Sequence, residues 1–260
     1  MDNTSIQAWY ASIPRITRAL FTTSVVVPLV GKLGLVSPYS LLLLWSDVVG
    51  RLQIWRLATT FFFAQPGFGL MMNLYMLYRY SGDLETVTFA GRPADYAFFL
   101  LFCVTSSLAG SVLTGSMVLN EALILAVIHY WSHRNSERIV SFMFGTNFKA
   151  RYMPMVLLGF DLLMSGSLPL TGMLGVASSY AYIQLMEEMP ARGGRRWLDT
   201  PTFLRRFFPP GSGTPYTQPA TYSAGSSTGV NLGRQSNTMT QRGPVVGGHD
   251  WGRGQRLGDQ

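Results

Sequence analysis

The chain has a single cysteine, Cys103, and it sits inside an apolar run. One thiol cannot close an intrachain disulfide or build a cysteine-based zinc cluster, so a disulfide-stapled secreted domain is excluded. Histidine is almost as scarce, with only His129, His133 and His249. His129 and His133 are four apart and can share a helix face, but no HExxH surrounds them. No metal site and no cofactor is expected. Charge is the third shortage. Charged residues make up 13% of the 260 residues, about half the ~25% of soluble globular chains, while apolar residues make up 48%. A soluble fold of this length needs more charge to cover its surface.

What is present is unevenly spread. Residues 1–190 hold the long apolar runs, and residues 191–260 are rich in Gly, Ser, Thr, Pro and Arg. This division reads as a polytopic membrane body followed by a soluble tail. The net charge of +7 follows the same division, because nine arginines oppose three aspartates beyond residue 190. Such a basic tail suits contact with anionic lipid. The amino-terminal stretch is polar and carries no A-x-A-like site after a short apolar run. The first span is therefore expected to be an uncleaved anchor.

Backbone amides in hydrocarbon must be satisfied within their own segment, so the apolar runs are expected to be helices. Six are predicted, at about 19–36, 60–80, 96–117, 119–133, 152–168 and 170–189. With both termini in the cytosol, the far side receives only Lys32, Arg51 and Arg56 of the 20 basic residues. That asymmetry obeys the positive-inside rule. Several spans are poor by membrane standards. The fourth is short and bracketed by Glu121 and His133, the second contains Asn73, the fifth Asp161, and the sixth ends in Gln184, Glu187 and Glu188. A full crossing takes about 20 apolar residues. An Asp inside a span usually faces a bundle interior or water. Short, polar-flecked helices thin the surrounding bilayer and lower the cost of moving polar polypeptide across it. Between the first two spans, residues 37–59 are too apolar for a plain loop. Leu41–Leu44, Trp45 and Trp55 suit an element lying in the head-group layer, with Trp55 and Arg56 anchoring it.

Four stretches, VVVPLVGKLGLVSP (25–38), QIWR (53–56), GRPADY (91–96) and RIVSFMFGTNFKARYMPMVLLGF (138–160), resemble the Derlin family. The similarity runs in register from about residue 7 to 210 and resumes in the last ten residues. The resemblance implies an all-α rhomboid-like bundle of six transmembrane helices with both termini cytosolic. It also implies residence in the endoplasmic reticulum membrane and service in retrotranslocating misfolded luminal and membrane proteins for degradation. The family's tryptophan–arginine pair falls on Trp55 and Arg56. Its small-xxx-small helix-packing motif falls on Gly175 and Ser179, with Ser in place of the usual second Gly. Small residues four apart let helix backbones approach closely, and Gly172 offers a second such position.

A rhomboid-like fold raises the question of proteolysis. An intramembrane serine protease of this kind needs a nucleophile in a G-x-S-G setting on the fourth helix and a histidine base on the sixth. The fourth helix, NEALILAVIHYWS, has no such motif, and the sixth has Ser178 and Ser179 but no histidine. His129 is on the wrong helix. No Ser/His pair and no catalytic residue are expected, which makes the chain a pseudoprotease rather than an enzyme. An active rhomboid protease and a small-solute transporter are the alternatives, and the latter would show inverted repeats that are not evident.

Four regions are expected: a membrane domain over 1–190, a basic-aromatic juxtamembrane segment over 191–210, a disordered linker over 211–248 and a terminal box over 249–260. The linker is too polar to bury a core. In the box, Trp251, Gly252, Gly254 and Leu257 match the short element by which Derlins bind the valosin-containing AAA+ ATPase. A strand docking by edge addition would use Trp251 and Leu257 as anchors, with the glycines permitting close backbone approach. The resemblance further implies a ubiquitin-ligase complex of the endoplasmic reticulum membrane, misfolded substrates and membrane lipid as partners, with homo- or hetero-oligomers. Nucleic acid is not among the expected partners.

Overall fold

The computed structural model describes residues 3–141, 147–189 and 201–208, and they are mainly helical. A short helix α1 (Asn3–Ser12) turns at Pro14 into α2 (Arg15–Lys32). A 3-10 turn (Pro38–Leu41) and two short helices, α3 (Trp45–Arg51) and α4 (Trp55–Thr59), form the first connection. Helix α5 (Phe68–Met76) continues without a break through π turns Leu77–Ser81 and Leu84–Thr88. Then come α6 (Pro93–Thr114) and α7 (Asn120–Arg134). Strands β1 (Ile139–Ser141) and β2 (Asn147–Lys149) pair antiparallel, with Val140 opposite Phe148. They lead to α8 (Met153–Ser165) and α9 (Leu170–Ile183), the latter extended by a π turn, Gln184–Glu188. A last helix, α10 (Thr202–Phe207), tucks Leu204 against the core.

The helix ends follow local chemistry rather than hydropathy. Pro93 opens α6 and Pro154 opens α8 at positions where a missing amide costs nothing. Gly115 and Gly166 close those helices with φ of 66° each, a left-handed turn that favours glycine. The expected second span at 60–80 is displaced, because Pro66 and Gly67 delay its start to Phe68 and the π turns carry it to 88. The first begins earlier and ends earlier than expected, at Arg15 and Lys32, for want of a helical path past Gly34 (φ 72°). Among the described residues, α6 is the one helix both long and apolar enough to cross a membrane, at 22 residues.

Helix α7 is the axis of the fold. Ala122, Ala126, Val127 and Ile128 are fully buried, with Tyr130 and Trp131 nearly so. At one end of α7 an aromatic cluster closes round Tyr130: Phe99 is 4.7 Å away, Phe89 5.4 Å and Tyr182 5.9 Å between ring centres. The Tyr130 hydroxyl and the Arg134 Nη2 both donate to Glu187 Oε1 at 2.6 Å, tying α7 to the end of α9. Thus Glu187, an oddity in an apolar run, is a paired group. Asn73 is explained in the same way: it donates to Asn120 at 3.0 Å, and Asn120 donates to the Phe61 carbonyl at 3.1 Å. In the hairpin, the Lys149 ammonium donates to Glu137 and holds its carboxyl below the usual range.

Most apolar side chains of α8 face outward, including Met155, Leu162, Leu163 and Met164, and α2, α6 and α9 add Leu29, Leu113 and Met173. An apolar belt of this extent marks an interaction surface.

The first turn of α2 has no side-chain cap of its own. Its need is met from far along the chain, because Glu85 accepts hydrogen bonds from the amides of Ile16 (2.9 Å) and Thr17 (2.7 Å) and from the Thr17 hydroxyl (2.8 Å). A carboxylate there also faces the positive end of the helix dipole. Replacing Glu85 with Ala is expected to cost about 1–2 kcal/mol. Thermal unfolding of the purified protein in detergent measures it, and an unaltered midpoint would mean those amides are satisfied elsewhere.

Candidate functional site

Four of the residues singled out by sequence fall within the described residues, in two places. The first is the seam between α7 and α9. A Cβ on Gly175 would run into the Ala122 carbonyl oxygen and lie 2.7 Å from the Ala122 Cα, so the helices touch backbone to backbone. One turn earlier, Gly172 lies against Leu125 and Leu158, both under 3.0 Å from where its Cβ would be. Ser179 is fully buried in the same seam. Serine at this position does more than stay small. Its Oγ is hydrogen-bonded to His129 Nδ1 across the two helices at 3.1 Å.

This contact corrects one expectation. A Ser/His pair does exist, but with the histidine on α7 and the serine on α9. Which helix carries each residue does not reveal the contact, because it depends on which faces of α7 and α9 turn together. The pair lies in a backbone-tight seam and lines neither of the two cavities described below, so it ties helices together. The neighbouring Ser178 donates to the Gly175 carbonyl at 2.8 Å.

The second place is the first connection. Arg56 is 5% exposed, whereas Trp55 is 52% exposed. The Arg56 guanidinium donates to Gln53 Oε1 (2.6 Å), to the carbonyls of Tyr39 (2.5 Å) and Leu42 (2.8 Å), and to Asp47 Oδ2 (3.1 Å). Planar donors fanned out in this way stitch distant carbonyls together, a geometry a lysine cannot copy. Leu41 and Leu43 are buried, correcting the expectation that Leu41–Leu44 lie as a block in the head-group layer. The chain is extended at Leu42 and Leu44, so alternate leucines turn inward. Leu43 is further held by its backbone N–H, which donates a hydrogen bond to the Met117 carbonyl at 2.9 Å. The outward apolar set is instead Val49, Leu52, Ile54 and Trp55. Leu52 is held at φ 52°, which for a branched side chain costs about 1–2 kcal/mol.

Two cavities lie along α5. One of about 350 Å³ sits between α5, α7 and α8 near the start of α7, where Asn73, Glu121 and Asp161 interrupt an apolar wall that includes Leu125 and Leu157. The other, of about 800 Å³, sits at the opposite end of α7, beside Trp131 and the hairpin. Met72 and Met76 line both. In sequence Glu121 brackets the fourth span, and nothing in the periodicity tells that it shares a cavity with Asp161.

The model of the Der1-like family matches residues 13–202. The chain belongs to that family. Human Derlin-1 is 43% identical over 258 residues, covering 97% of this chain and 98% of that protein. Derlin-1 of Caenorhabditis elegans is 34% identical over 212 residues, covering 78% of this chain and 84% of that protein. Derlin-2.2 of Arabidopsis thaliana is 35% identical over 217 residues, covering 78% and 88%. Membership of the Der1-like family supports a role in endoplasmic-reticulum-associated degradation for a membrane protein of that organelle, with a non-catalytic rhomboid-like body. Trp251, Gly252, Gly254 and Leu257, the linker 211–248 and most of the 191–210 segment lie outside the described residues.

Gly175→Ala forces a methyl into the Ala122 backbone, and a loss of about 3 kcal/mol is expected. Gly159→Ala has open space and is the control. Comparing the two in a detergent unfolding titration checks this, and equal stability of both variants would contradict the seam.

Proposed function

We propose that the chain is a non-catalytic component of endoplasmic-reticulum-associated degradation that helps move misfolded luminal and membrane proteins to the cytosol. In this reading the bundle crosses the membrane six times with both termini cytosolic. It thins the lipid around it, and its last residues hold the AAA+ ATPase that pulls. A ubiquitin-ligase complex of the same membrane and further Derlin copies complete the assembly.

One observation carries the mechanism: helices too short for the bilayer flank a cavity that bears carboxylates. Helix α7 has 15 residues and α8 has 13. At 1.5 Å per residue these give roughly 20 Å, against a hydrocarbon core of about 30 Å. Glu121 and Asp161 line the cavity between these two helices and α5, where hydrocarbon is a poor neighbour for them. A lipid layer drawn thin around such helices lets polar chain approach at lower cost. Met72 and Met76, shared by both cavities, give a pliable waist that adapts to varied side chains.

The active-protease alternative is disfavoured by the complete burial of Ser179, since a nucleophile must meet its substrate. Fluorophosphonate is therefore expected to leave the native protein unlabelled, and labelling lost in Ser179→Ala would reinstate the enzyme.

Deleting residues 249–260 is expected to abolish co-purification of the valosin-containing ATPase while leaving the membrane body folded. Trp55→Ala is expected to slow substrate clearance in a cycloheximide chase without loss of ATPase binding. Undiminished ATPase capture by the truncated chain would refute the role given to Trp251 and Leu257. Wild-type clearance by the Trp55 variant would remove the first connection from the mechanism.

A further inference from the structure

The larger cavity shares Met72 and Met76 with the smaller one, and the rest of its lining has a chemistry of its own. Arg79 reaches it from the π turn of α5 and Arg138 from the start of the hairpin. The Arg138 guanidinium lies over the Trp131 ring, 5.8 Å from its centre. It approaches Asp83 Oδ2 at 3.7 Å, an ion pair too long for a hydrogen bond. Asp83 also accepts the Trp131 indole N–H, so its charge is shared and it orients Arg138 without saturating the donors. The Tyr80 hydroxyl in the same lining donates to Met153 Sδ at 3.6 Å. A guanidinium has five N–H donors, so both arginines keep several for a ligand.

The inner wall has the opposite character. Met76 and Met153 are buried there, and Ile13 closes the side next to α1. One end of the cavity therefore suits an anion and the other an apolar stem. A volume of about 800 Å³ falls within the roughly 300–1,000 Å³ of small-molecule sites. Soluble phosphate would leave the methionine wall unfilled, and a sterol would leave the arginines unanswered. An anionic phospholipid satisfies both ends. Basic pockets between helices on the cytosolic side are suited to such head groups. In the proposed topology this end faces that leaflet, while the chemistry of the cavity stands whether or not the chain retrotranslocates anything.

We propose that the cavity between α5, α7 and the hairpin binds an anionic phospholipid, with its phosphodiester held by Arg79 and Arg138 and its glycerol end against Met76 and Met153. The phosphate would accept charge-assisted hydrogen bonds from both guanidiniums, whose planar forks match its oxygens.

The test uses the full chain in phosphatidylcholine nanodiscs, titrated with dioctanoyl phosphatidylinositol and followed by calorimetry. Saturable binding of one lipid per chain is expected. Arg79→Gln and Arg138→Gln are each expected to weaken it about tenfold, with partial recovery in the Lys variants. Arg151→Gln, whose side chain lies over Tyr152 rather than in the cavity, is expected to change nothing. Thermal unfolding of each variant separates lost binding from lost fold, and Arg79→Gln is the decisive variant if Arg138→Gln misfolds. Two further probes separate the sources of the anion. Inorganic phosphate or glycerophosphoinositol binding as tightly as the lipid would overturn the proposal, because the apolar wall would then contribute nothing. An acidic peptide that binds more tightly than the lipid would overturn it in favour of a polypeptide ligand. An equal loss in Arg151→Gln would reduce the effect to general surface charge.

Discussion

The bundle depends on the backbone contact between Gly175 on α9 and Ala122 on α7. A helix buried on nearly every side, as α7 is, needs neighbours that come close without side chains in the way. At Gly175 no side chain intervenes, and at Gly172 the glycine makes room for Leu125 and Leu158. Close approach brings dispersion contacts along the whole seam, which matters in a lipid environment where apolar surface alone gives helices little reason to associate. The aromatic cluster round Tyr130 and the Arg134–Glu187 ion pair then close one end of the seam. At its other end, Asn120 knits α7 to α5 and to the Phe61 carbonyl.

This arrangement divides the molecule into a tight part and a loose part. Helices α6, α7 and α9 share a filled core, whereas α8 has only Met153 and Pro154 buried, at its first turn. The short, outward-facing helix is the wall of the smaller cavity, next to Glu121 and Asp161. Polar groups in that wall sit where packing is weakest and rearrangement costs least.

Much of this was legible from residues alone. The apolar runs gave helices near their expected places, and the prolines and glycines that punctuate them explain each displaced boundary, as Pro66–Gly67 does for α5. The small residues of α9 point to close packing, and at Gly175 size alone decides it, a property written in the residue type. Contacts between distant segments were not legible. Glu85 reads as an ordinary charge between spans, and nothing near it announces that it completes the first turn of α2. His129 and Ser179 are fifty residues apart in sequence, and their meeting depends on the rotation of two helices about their axes. In sequence Arg56 reads as an interfacial anchor rather than a buried cation, since hydropathy does not record which way a guanidinium turns.

The fan of bonds made by Arg56 bears on the charge that the folded first connection presents. Arg51 and Arg56 both sit beside the single Asp47 carboxylate, at 3.9 and 3.1 Å. Two of the three cations assigned to the far side of the membrane are thus partly neutralised within their own loop. Once folded, that connection exposes less unbalanced positive charge than a count of letters gives. The loop in effect grounds itself.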